Sequence, residues 1–181
     1  FYYVWNDYVI PGNLGDYVGI KWHRHWNEPR YDYAGPRCEE VLKAIRALSL
    51  PVLIEEEFAH TAAFVARNPG LPIIIPHMGL ANGGTDKMHV FFSNPDVCFD
   101  TAVAPLDSIR RVLDAVGPDR ILFGSDVSGT HQPFFNFTKV ELEKVLRLGL
   151  SDQDLQKVLA GNLECLLSQR RKSLSCQGVT P

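Results

Sequence analysis

Four segments of the sequence carry side chains able to move protons or hold a metal ion. His77 follows the apolar run Leu71 to Pro76, and the small Gly79 beyond it leaves room beside the imidazole. There it could polarise a carbonyl or shuttle a proton, or serve as a hydrogen-bonded core histidine. Asp126 closes the run Ile121-Leu122-Phe123-Gly124-Ser125. A carboxylate in that place can accept a proton or cap backbone amides, and the next helix start comes only at Thr138. Glu55-Glu56-Glu57 offers three carboxylates, of which strand alternation turns Glu56 away from its neighbours. Carboxylate oxygen can bind a divalent ion, manganese more readily than a softer one, while a solvated acidic strand end is the alternative. His23-Arg24-His25 places two imidazoles on one side of a strand, a spacing that can chelate one ion. Trp22 and Trp26 flank that pair, so substrate lining or plain packing fits as well. Lys21 suits a Schiff-base nucleophile, a carbamylated ligand, or a charge paired with a carboxylate such as Glu55. His60, His89 and His131 have no supporting neighbours and read as surface or loop residues.

The elements that must position these residues repeat. Apolar strands are expected at Tyr17 to His23, Pro51 to Ile54, Leu71 to Pro76, Val97 to Phe99 and Ile121 to Gly124, with Phe1 to Ile10 as the remnant of a sixth. Helical spacing follows at Cys38, Val41, Leu42, Ile45 and Leu48, from Phe58 to Arg67, and at Leu106, Ile109, Leu113 and Val116. Asn68-Pro69-Gly70 and Gly117-Pro118 close the second and third of these. Thr138 with Glu141 has the capping-box spacing, and Ser151 with Asp154 opens a last helix to about Leu167. Ionisable residues at 23, 55, 77, 100 and 126 end successive strands, at the pitch of βα units. The near-continuous apolar strands suit a parallel sheet covered on both faces. A doubly wound sheet would carry a phosphate-binding glycine loop, and neither GxGxxG nor GxxxxGK[ST] occurs. Asn82-Gly83-Gly84 could form an anion-binding nest, though a plain loop is the simpler reading.

Five segments in order, from Tyr17 to Leu167, then carry a resemblance. They are Gly19-Ile20-Lys21-Trp22-His23, Leu50-Pro51-Val52-Leu53-Ile54, Ile75-Pro76-His77-Met78-Gly79, Phe123-Gly124-Ser125-Asp126 and Gly161-Asn162-Leu163. Together they resemble the C-terminal two-thirds of the amidohydrolase-related TIM-barrel hydrolases, a group that also includes non-oxidative decarboxylases. The resemblance implies an α/β fold, a partial (β/α)8 barrel of strands 4 to 8 without its N-terminal strands. It also implies a divalent ion, zinc or else manganese, held by an HxH pair on strand 1, a His ending strand 5 and an Asp ending strand 8. Carried across, Asp126 takes the strand 8 position, and His77 the strand 6 position that works on the substrate. Glu55 stands where the family has the strand 5 His, and the strand 1 pair has no counterpart. His23 matches strand 4, and is an additional candidate ligand beside Glu55 and Asp126. In this reading Asp126 accepts the proton of a metal-bound water and His77 stabilises the developing oxyanion.

Composition bounds the rest. The 181 residues include 18 Lys+Arg against 21 Asp+Glu, a formal charge of −3, which offers no footprint for nucleic acid or an anionic membrane. No apolar run approaches the length of a membrane span. The cysteines are sparse and without a CxxC pair, as expected of a cytoplasmic protein with incidental thiols. Residues 1–167 are expected to form the barrel domain and 168–181 a polar tail. The sequence starts at Phe1 and falls short of the about 250 residues of a complete barrel, so it reads as a chain entered in mid-fold. The function expected is hydrolysis of a small molecule by metal-activated water. The alternatives are decarboxylation of a small, aromatic acid on the same site, or a catalytically silent fragment or binding protein. A homo-oligomer is compatible with the sequence.

Overall fold

The computed structural model describes residues 1–24, 28, 30–127 and 136–168. Six short strands form its centre: β1 (Tyr2–Val4), β2 (Ile20–His23), β3 (Val52–Glu55), β4 (Ile73–Ile75), β5 (Val97–Asp100) and β6 (Ile121–Leu122). Every neighbouring pair is parallel, and the spatial order is the sequence order from β1 to β6. A doubly wound sheet reverses its order at a switch point, whereas a barrel winds on in one direction. This is the order of a partial (β/α)8 barrel, and the first residues of the chain supply its sixth strand. Helices α1 (Pro36–Ala47), α2 (Phe58–Arg67) and α3 (Leu106–Val116) follow β2, β3 and β5; α4 (Phe137–Leu146) and α5 (Asp152–Gln156) follow β6. After β4 the crossover is built from 3-10 turns, Pro76–Gly79 and Thr85–Phe91. Among the described residues no helix is long and apolar enough to cross a membrane.

One face of the sheet is the core. Ile20, Trp22, Val52, Ile54, Ile73, Ile75, Val97 and Phe99 are buried there with Cys38, Val41, Ile45, Phe64, Ile109 and Val112 of the helices. The expected cover on both faces is only partly realised. Lys21, His23, Leu53, Glu55, Cys98 and Asp100 alternate with the core residues and are half-buried on the second face. The short strands β4 and β6 are buried at every position. The alternation therefore sorts the apolar residues onto the helices and leaves the polar strand ends on the face that a barrel turns inward.

Two helix ends correct the sequence reading. The cap of α4 is Asn136, whose side chain accepts from the Lys139 amide at 2.9 Å, so Thr138 lies inside the first turn. Glu141 does not reach back to the cap; it is buried, accepts from the Val103 amide at 3.0 Å and pairs with Lys144 at 2.5 Å. At the last helix Ser151 does cap, accepting from the Asp154 amide at 3.1 Å. That helix is interrupted by a π-turn at Lys157–Gly161 before continuing through 162–168. The turn has a use, because the Val158 carbonyl accepts from the Phe123 amide at 2.9 Å. Asn162 adds two side-chain donations, to the carbonyls of Pro118 at 2.7 Å and Ile121 at 2.8 Å. The closing helix thus grips β6 from both sides of the residues that lead to Asp126. His25, Trp26, His131, most of the loop from Val127 to Phe137 and the tail beyond Ser168 lie outside the described residues.

Candidate active site

Strand register brings the first pair together. His23 ends β2 directly opposite Glu55 at the end of β3, and its Nε2 lies 3.4 Å from Glu55 Oε1. The other oxygen, Oε2, lies 3.4 Å from Nε2 of His77, so one carboxylate sits between two imidazoles. All three side chains are largely covered, with 11% to 17% of their surface exposed. Burial works against a charge on Glu55, but the hydrogen bonds and charges of His23 and His77 outweigh it and hold the carboxyl well below its usual range. The pairing expected between Lys21 and Glu55 is not formed. Among the described residues Lys21 makes no ion pair, because both oxygens of Glu55 are already engaged from the histidine side.

The triple glutamate separates as alternation requires. Glu55 faces the histidines, while Glu56 is buried on the other side, accepting from Arg24 Nε at 2.9 Å on each oxygen and from Tyr33 Oη at 3.0 Å. Glu57 is exposed and takes the Arg24 guanidinium at 2.7 Å. Arg24 is thereby a structural tie between the ends of β2 and β3.

His77 does not end β4 but sits two residues past it, in a turn of unusual backbone. His77 (φ 57°), Met78 (φ 52°) and Gly79 (φ 79°) are three successive left-handed residues. For non-glycine residues this costs on the order of 1–3 kcal/mol each and persists only where surroundings enforce it. Here Asp100 enforces it: its Oδ1 accepts the amides of His77 at 2.9 Å and Ala102 at 3.0 Å. The imidazole Nδ1 of His77 lies 2.9 Å from the Ala102 carbonyl. Gly79 completes the turn because a Cβ at that position would collide with the side chain of Met88. With Nδ1 at a carbonyl and Nε2 at a carboxylate, both ring nitrogens face acceptors, which is the environment of an imidazolium. Burial opposes that charge, yet Glu55, the Ala102 carbonyl and the nearby Asp100 raise the His77 pKa to about 9.

Asp126 lies four residues past the end of β6. It is exposed, with a left-handed backbone (φ 50°), and lies near enough to Asp100 to raise that group's pKa further, beyond the effect of burial. The segment before it is held by Thr101, whose Oγ1 accepts from the Gly124 amide at 3.2 Å. A Cβ at Gly124 would press on Ala102 and Asp100, so glycine is what lets β6 approach the His77 turn.

The expected metal ligands do not assemble. Among the described residues no three His, Cys, Asp or Glu side chains are grouped so as to hold an ion. Glu55 is shared between the imidazoles of His23 and His77, and Asp126 projects to solvent. As placed, Glu55, Asp126 and His23 do not converge on one ion among the described residues. Sequence reasoning also passed over two residues. Asp100 was visible as a strand-end carboxylate in the repeat and went unassigned. Tyr3, whose hydroxyl reaches His23, had no sequence signal at all.

Solved structures with the same fold are similar to this chain at low identity. One assigned as a 2-pyrone-4,6-dicarboxylic acid hydrolase from Pseudomonas putida has a TM-score of 0.66 at 21% identity, covering 83% of this chain and 63% of that one. A dihydroxybenzoic acid decarboxylase from Polaromonas sp. JS666, with bound manganese and an inhibitor, has a TM-score of 0.57 at 18% identity, covering 88% and 63%. An amidohydrolase from Burkholderia multivorans with bound zinc has a TM-score of 0.62 at 18% identity, covering 83% and 64%. The chain thus spans less than two thirds of the length of each. No curated protein sequence matches it. Residues 16–164 match the family model described as amidohydrolase, and the barrel order of the strands agrees with it: the chain belongs to the amidohydrolase family.

Proposed function

We propose that the chain carries part of the active site of a hydrolase acting on a small molecule, with Asp126 as proton acceptor and His77 as the group that holds the developing oxyanion. The observation that carries this reading is the setting of His77, with an acceptor at each ring nitrogen and its charge maintained to about 9. The Glu55 contact of 3.4 Å is longer than the about 2.7–2.9 Å of a tight charged hydrogen bond, so the Nε2 proton can turn to a substrate oxygen beside it. Asp126, exposed four residues past the end of β6, has room to take the proton of an attacking water. The sparse cysteines support a cytoplasmic setting.

The same imidazolium suits a second reaction. Loss of carbon dioxide from an aromatic acid leaves a carbanion that needs a proton, and a cationic histidine can donate one. The decarboxylase among the structural neighbours keeps that reading alongside hydrolysis. Turnover of 2-pyrone-4,6-dicarboxylate and carbon dioxide release from 2,6-dihydroxybenzoate separate the two. Asp126→Asn is expected to lower the hydrolytic rate by about 10²- to 10⁴-fold, and full activity in that variant would refute the assignment. Zinc and manganese, bound by the neighbours, are expected to bind this chain only weakly in equilibrium dialysis, and nanomolar affinity would overturn that expectation and restore His23 and His25 as candidate ligands.

A further inference from the structure

The row of strand-end contacts does not stop at His23. Tyr3 of β1 donates its hydroxyl to the His23 carbonyl at 2.9 Å, and the same oxygen lies 3.3 Å from His23 Nδ1. The two rings are also in contact, with centroids 6.2 Å apart. Behind them the buried Tyr31 donates to the Val4 carbonyl at 2.8 Å and reaches the His23 carbonyl at 3.2 Å. The position explains the need for both hydroxyls. The β1–β2 ladder ends with Val4 opposite Trp22, so the His23 carbonyl lies one residue past the last pair, where both phenols reach it. A carbonyl left unpaired at a strand end costs free energy, and the phenols supply donors to the His23 carbonyl.

We infer that Tyr3 is a positioning residue of the site, which fixes the His23 ring against Glu55 and, through that shared carboxylate, fixes His77. Its hydroxyl holds both ends of one residue, the main-chain carbonyl and the ring nitrogen, and so leaves the imidazole a single orientation, with Nε2 turned to Glu55. Tyr3, His23, Glu55 and His77 then form one row of polar contacts across the ends of β1, β2 and β3 and the turn after β4. The row is anchored at its far end by the Ala102 carbonyl and Asp100. The inference rests on the reading of His77 as a site residue and adds a tyrosine from a strand not otherwise connected to the chemistry.

The test needs no turnover. In spectra of the chain labelled at the histidine Cε1, Tyr3→Phe should displace the Hε1–Cε1 cross-peaks of both His23 and His77, assigned with His23→Gln and His77→Gln. Tyr2→Phe is the control: it removes a hydroxyl donated to the Val9 carbonyl at 2.9 Å, in the same strand but away from His23, and should leave both peaks in place. Anything less than displacement of both peaks by Tyr3→Phe, or equal displacement by Tyr2→Phe, overturns the inference. If Tyr3→Phe fails to fold, the unmodified chain still decides the matter. A nuclear Overhauser effect between the Tyr3 and His23 rings is expected there, and its absence overturns the inference. A chain inactive on every acid tried would refute the proposed reaction while leaving these spectra unaffected.

Discussion

His77 is the residue on which the proposed chemistry and a measurable property of the fold meet. Its pKa is raised from 6.5 to about 9 on folding, and a group so shifted stabilises the folded state fully below its unfolded value. That contribution is lost as the pH rises through the folded value. Urea unfolding is therefore expected to show stability falling across the interval from 6.5 to about 9, and His77→Gln should flatten the curve there. A wild-type curve already flat in that interval would mean that the imidazole is not held between its two acceptors. The placement of Glu55 at a strand end was legible in the sequence because βα units repeat, whereas His77 lies two residues past β4 and Asp126 four past β6. Their partners were less legible. A lysine one layer below Glu55 looked like a suitable counter-ion, but strand register sets His23 opposite the glutamate and the His77 turn brings a second imidazole to its other oxygen. Neither effect is visible in spacing along the chain.

At the scale of elements, the turn after β4 does the positioning, and it depends on glycine. Gly79→Ala would place a methyl group against Met88 in a left-handed backbone. The expected destabilisation is about 2 kcal/mol or more, measured by denaturant unfolding. An effect within about 0.5 kcal/mol would show that Met88 yields and that the turn is not set by this contact. Strand and helix assignments follow from periodicity, and α2 and α3 run over the residues that their spacing and their closing Pro and Gly residues indicate. The start of α4 was misread because Thr138 and Glu141 have the spacing of a capping box, while Asn136 two residues earlier actually accepts the free amide. Glu141 is recruited elsewhere, by the Val103 amide and Lys144. Competition of this kind between local and tertiary partners is decided only in three dimensions.

At the scale of the sheet, sequential strand order places β1 and β6 at its two edges among the described residues. Around β1 the chain exposes Phe1, Tyr3, Trp5, Val9, Ile10 and Val18. An edge strand beside exposed apolar residues is a site for association. The chain is expected to self-associate as its concentration rises in sedimentation velocity, and Trp5→Lys with Val9→Lys to shift it towards the monomer. A monomer at all concentrations would contradict this. The same strand order also bears on how the site comes into being. Each link in the row joins a unit to the next one along the chain, with separations of 20 residues between Tyr3 and His23 and 23 between His77 and Asp100. No link has to close a loop across the whole chain, and loop-closure entropy rises with length. During synthesis, each contact can form as soon as the following unit leaves the ribosome, so the site can assemble progressively from its N-terminal end.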